Sequence, residues 1–147
     1  MRNLAIVILI FALLFSASTG DARNTIHQLS IEAALAEGQE KGVLVEGVAL
    51  YFGDAATPAV EENHGQFTAN RKTNAFNKSD EEACSWVFLT AVKALQERAR
   101  QQGGNAVVNI YSYYYKNKFV SETEFECGAG TMVAGVTMIG DVVTLAE

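Results

Sequence analysis

The chain has 147 residues, 49% of them hydrophobic and 19% charged, and a formal net charge of −6. That acidic balance argues against nucleic acid or an anionic membrane surface as the main partner, because both select clustered Lys and Arg. The length suits one domain with a real hydrophobic core.

Residues 1–22 read as a secretory signal. Met1-Arg2-Asn3 is a short positive start, Leu4 to Phe15 is an unbroken apolar run, and Ser16 to Ala22 is the small-residue exit where a peptidase cuts. The apolar run is too short for a permanent span, which takes roughly twenty residues. Cleavage is expected after Ala22, with a cut after Gly20 also allowed. It leaves a single domain over 23–147, periplasmic or secreted, with no membrane anchor. Arg2 and Asp21 leave together, so the net charge is unchanged.

Ser30 to Gln39, with Ile31, Ala34 and Leu35 before Gly38, predicts a short helix or turn. Val43 to Phe52 is a strand candidate, and Gly53 to Glu62, holding the sole proline Pro58, a surface loop. A short strand at Gly65 to Ala69 is followed by Asn70 to Lys78, which has no periodicity and reads as a loop carrying Arg71, Lys72 and Lys78. Ser79-Asp80-Glu81-Glu82 is a capping box, and it starts a helix that runs to about Gln102. Cys84, Val87, Phe88, Ala91, Leu95 and Ala99 form its apolar stripe, and Gly103-Gly104 ends it.

Asn105 to Tyr115 predicts a strand with Ala106, Val108 and Ile110 inward and Tyr111, Tyr113 and Tyr115 on the opposite face. After a turn at Lys116 to Lys118, Phe119 to Cys127 alternates, with Phe125 and Cys127 inward and Glu122, Glu124 and Glu126 toward water. Gly128 and Gly130 read as a turn. Thr131 to Ile139 reads as a central strand that Asp141 to Leu145 continues. The expected fold is α+β: a mainly antiparallel sheet of about five strands with one long helix on one face.

Cys84 and Cys127 both outlast signal cleavage, and in an oxidising compartment an even pair reads first as a disulfide. Both lie on inward faces of adjoining elements. The loop they close is worth on the order of 4 kcal/mol by chain entropy.

The helix running into Gln101-Gln102-Gly103-Gly104-Asn105-Ala106-Val107-Val108, and the later Gly130-Thr131 step, resemble the small α+β domain of the YbjQ-like and RcsF-like families. The likeness covers roughly residues 83 to 139 and implies fold more than function. The chain departs from RcsF in having no lipobox and two cysteines instead of four, so that signalling role is not implied. The whole segment, with Asn70 to Ser79 before the helix, also looks like short bacterial exported proteins labelled excinuclease ATPase subunit. No Gly-rich loop with Lys-Ser/Thr follows a strand, so an ATPase is not expected.

Cys84, Cys127, His27 and His64 are zinc-type ligands, but none are paired two to five residues apart, and no metal is expected. No serine or cysteine sits in a nucleophile motif, so no catalytic residue and no cofactor are assigned. Gly128-Ala129-Gly130 precedes a strand where a dinucleotide fingerprint requires a helix. The candidate binding surface is the stripe Tyr111, Tyr113 and Tyr115, with basic Arg71 and Lys72 a second contact region. The expected function is an exported, non-enzymatic binding or envelope-associated protein, with another envelope protein or a second copy as partner. The alternative is a small hydrolase or metal-binding enzyme assembled only in the fold, for example around His64, Arg71 and a carboxylate.

Overall fold

Thirteen residues at the end of the chain organise the rest: Val133–Leu145 is apolar on both faces and can only be a strand buried on both sides. The computed structural model describes residues 23–147, so the signal expected over 1–22 lies outside the described residues. In chain order the elements are β1 (Thr25–Ser30), α1 (Ile31–Glu40), β2 (Ala49–Phe52), β3 (Val60–Asn74), α2 (Asp80–Gln101), β4 (Ala106–Ser112), a 3₁₀ turn (Tyr114–Lys116), β5 (Glu124–Ala129) and β6 (Val133–Leu145). One edge of β6 pairs with β3 along its whole length, and the other pairs with β5 near its start and then with β4. β1 lies antiparallel outside β5, and β2 lies parallel outside β4. The result is the expected α+β class, a mostly antiparallel sheet with one long helix.

Helix α2 covers one face of this sheet. The Ser79 hydroxyl accepts the Glu82 amide at 3.1 Å, which fixes the start, and Asp80, Glu81 and Glu82 place negative charge where the helix dipole favours it. Cys84, Val87, Phe88, Ala91, Val92, Leu95 and Ala99 are buried, and Phe88 stacks on Phe125 of β5 at 4.0 Å between centroids. The end is equally local: Gly103 takes φ +80 and the Gly104 amide returns to the Ala99 carbonyl at 2.8 Å. Cys84 of α2 is bonded to Cys127 of β5, as expected, tying the helix to the sheet across 43 residues of chain.

Several expected boundaries shift. Val43 to Val48 leaves the strand state because Gln96, buried on α2, takes its main-chain groups: the side-chain oxygen accepts from Val45 N, and the amide donates to the Val45 and Val48 carbonyls. Only Ala49–Phe52 remains as β2. The residues expected as a basic loop, Asn70 to Asn74, belong instead to β3. That strand is mostly exposed, so its conformation is set by the ladder with β6 and leaves no apolar alternation to read. β1, unassigned from its sequence, forms for the same reason beside β5.

β4 carries a bulge. Asn109 sits at φ +53 and the register with β6 shifts between Val108 and Tyr111, so the face pattern inverts across it. Val107 and Ile110 join the core under α2, whereas Ala106 and Val108 pack with Val143 and Leu145 on the other face. The expectation that Ala106, Val108 and Ile110 share one face is thereby corrected. Past Ser121, whose hydroxyl accepts the Thr123 and Glu124 amides, β5 begins only at Glu124.

Leu95→Ala, at a side chain 1% exposed in the middle of the stripe, is expected to cost about 2–5 kcal/mol in denaturant titration, and Ser79→Ala about 1. A neutral Leu95→Ala would place the core elsewhere. Thiol counting on protein produced in an oxidising compartment, denatured without reductant, should find no free thiol.

Candidate functional site

The tyrosine segment builds its own surface on the face of the sheet away from α2. The chain leaves β4 after Ser112, stays attached through the Tyr113 amide to the Thr137 carbonyl at 2.7 Å, and turns through Tyr114–Lys116 with Tyr115 at φ +48 and Lys116 at φ +61. It returns where Ser112 and Phe119 exchange main-chain hydrogen bonds of 2.9–3.0 Å. The expected stripe is therefore corrected: Tyr111 is on the strand, Tyr113 at its end and Tyr115 in the left-handed turn beyond it. Tyr111 and Tyr113 still meet edge to face at 6.2 Å, and the Lys118 ammonium lies 4.6 Å from the Tyr111 ring centre.

Tyr114, not singled out in the sequence, is the anchor. Gly128 of β5 pairs directly with Gly135 of β6, and the absence of side chains on both leaves a trough in the open face. The Tyr114 ring fills it: a Cβ on Gly128 would fall 2.2 Å from the ring, and one on Gly135 3.4 Å from it. Gly128 thus lies within a strand, and the turn begins beyond it. The Tyr114 hydroxyl donates to Asn24 Oδ1 at 3.1 Å. Burial, together with the neighbouring Tyr115 phenol, pushes it up to about 12.

With Tyr114 seated, Tyr115 is held outward at 4.5 Å from it and 76% exposed. Two adjoining concavities of about 480 and 430 Å³ flank this pair, sharing Lys72, Tyr114 and Tyr115. The first adds Arg23, Asn24, Met132 and Val133, and the second Asn70, Tyr113, Lys116 and Thr137. Among the described residues neither contains a carboxylate, although the chain is acidic overall. Met132, Val133 and Ile26 add exposed apolar surface beside them.

Arg71 and Lys72 do not act together, because adjacent residues of a strand face opposite ways. Lys72 lines the tyrosine cleft, while Arg71 lines a groove on the helix side with Trp86, Lys93 and Glu97. The acidic row is also divided. Glu122 lies before β5 and Glu124 is exposed on it, but Glu126 is 5% exposed, covered by the returning loop, with Asn117 Nδ2 3.4 Å from its carboxylate.

The histidines lie apart. His64 bonds Thr144 Oγ1 at 2.9 Å, far along β3 from Arg71, so the enzyme arrangement around His64 and Arg71 does not form. His27 Nε2 lies 2.8 Å from Asp80 Oδ2, but both Asp80 oxygens are already held by Arg23 at 2.8 and 2.9 Å. Arg23 first, then His27, keep the Asp80 carboxyl well below the usual carboxylate range. The cluster pins the start of β1 to the start of α2, beside the cleft. Among the described residues no three His, Cys, Asp or Glu side chains are grouped to hold a metal. Compared with family models, curated proteins and solved structures, the chain matches none.

The folded state holds the Tyr114 proton more tightly than an unfolded chain with an ordinary phenol near 10. Its contribution to stability is full below about pH 10 and is lost as the pH rises through about 12. Phenolate absorbance should show a step near 12 that Tyr114→Phe removes; a wild-type titration without that step would mean the ring is not seated in the trough.

Proposed function

We propose that the protein is an exported, non-enzymatic binding protein, and that the tyrosine cleft is its contact face for an anionic partner of the envelope. The observation that carries this reading is the pairing of an outward Tyr115 with Lys72 and Lys116 in concavities that, among the described residues, hold no carboxylate. A protein with net charge −6 repels anions over most of its surface, so a basic aromatic cleft is where an anion gains most. Tyr115 supplies stacking area with few rotatable bonds, the lysines supply long-range attraction, and Asn24, Asn70 and Thr137 supply neutral hydrogen-bonding groups. The Tyr114 anchor spares much of the ordering cost, since the loop is already fixed before contact.

Export is supported by the disulfide, which suits an oxidising compartment, and by the signal pattern of residues 1–22. Among the described residues no helix is long and apolar enough to cross a membrane.

Immobilised protein should retain an envelope component from extract, with retention falling as salt is raised. Tyr115→Ala and Lys72→Glu should each lower retention about tenfold or more while leaving the unfolding midpoint within the range of a surface change. Equal retention by wild type and both variants would move the contact face elsewhere.

A further inference from the structure

Among the described residues β3 pairs with β6 on one side only, so its outer edge is open there. The direction of its main-chain groups follows from the ladder. The Thr137 carbonyl accepts from Tyr113, away from β3, and Thr137 is the residue opposite Asn70. In an antiparallel pair the residue opposite such a position turns its own N–H and C=O outward. Two side chains mark this outward set: Arg71 Nη1 bonds the Asn70 carbonyl at 3.1 Å, and Lys78 Nζ the Asn74 carbonyl at 3.2 Å. Gln66, Thr68, Asn70, Lys72 and Asn74 therefore present their main-chain groups to the outside. Both bulges of β3 fall before this stretch, so Gln66–Asn74 pairs in regular register, without the bulge or proline that usually blunts an edge.

We infer that β3 pairs with β3 of a second copy of this chain, antiparallel about a two-fold axis at Asn70, joining the two sheets into one. This goes beyond the binding reading and does not depend on it. In that register Asn70 faces its own copy, Thr68 faces the second Lys72, and Gln66 faces the second Asn74, giving about ten main-chain hydrogen bonds. No like charges are opposed, because Arg71 meets Ala69 and Lys72 meets Thr68. The antiparallel direction also runs the acidic start of each strand, Glu61 and Glu62, toward the basic end of the other, Arg71, Lys72 and Lys78, whereas a parallel pair would set like against like. The axis has a consequence for the cleft: Asn70 and Lys72 line it, so pairing sets two tyrosine clefts side by side on one face.

Sedimentation velocity on the disulfide-bonded protein over a range of concentrations tests this. A monomer–dimer equilibrium is expected. Thr68→Lys, exposed on the edge, should weaken it about tenfold, since the new like-charge pair with Lys72 occurs twice across the axis. Adding Lys72→Glu to Thr68→Lys should restore it. A protein that stays monomeric throughout, a dimer indifferent to Thr68→Lys, or one not rescued by the second change would overturn the pairing. A monomer whose retention of envelope material falls on Thr68→Lys would assign the edge to a strand of another protein and equally overturn self-pairing. A monomer that still loses its partner on Tyr115→Ala leaves the binding reading standing while the dimer fails.

Discussion

Two glycines facing each other across β5 and β6 are the constraint on which the tyrosine face depends. Side chains on Gly128 and Gly135 would fill the trough that Tyr114 occupies, and the closer of them would lie 2.2 Å from its ring. A cross-strand pair of glycines is poor in packing by itself, and the aromatic ring laid over it replaces the missing contacts. Once Tyr114 is down, the left-handed backbone at Tyr115 and Lys116 is over-determined by its surroundings, and the strain of that conformation is held in place. Tyr115 can then stand outward without the loop collapsing. Its exposure is a product of its neighbour's burial.

The rest of the fold supplies the floor of that trough. Cys127 precedes Gly128 and points the other way, into the bond with Cys84 on α2, while Phe125 stacks under Phe88. β5 is only six residues long and meets β6 at just two register positions, so helix packing and the crosslink carry much of its placement. Arg23, His27 and Asp80 anchor β1 to the helix start, and that brings Asn24 to the Tyr114 hydroxyl. This last link is sensitive to acid, because the lowered Asp80 pKa contributes stability that is present above the ordinary carboxylate range and is lost as pH falls from that range down through the lower folded-state value.

Legibility in the sequence followed burial. Helix α2, its Ser79 cap, its glycine stop, the disulfide and the doubly apolar β6 were readable, because each is dictated by residues that must be hidden or must adopt one backbone conformation. β1 and the second half of β3 were not, since exposed edge strands need no alternation and take their shape from the neighbour. The bulge at Asn109 defeated the parity argument for β4: a single left-handed residue set Ala106 and Val108 on the face opposite Ile110, and Asn is one of the few residues that tolerates that conformation, while the turn at Tyr114–Lys116 took Tyr115 out of the stripe. Tyr114 had a signal in principle, two glycines at positions 128 and 135 inside otherwise apolar strand patterns. Reading it required knowing that those two positions are paired, which is information about register and not about either strand alone.

Gly128→Ala addresses the contact that holds Tyr114 on the glycine pair with one methyl group. The variant should keep its disulfide and its helical signal. Its Tyr114 phenol should return from about 12 toward the ordinary range, and Tyr115 should lose its fixed position, read as loss of the ordered aromatic resonances of the 113–118 loop. A Gly128→Ala protein whose Tyr114 titration and aromatic spectrum match the wild type would contradict it.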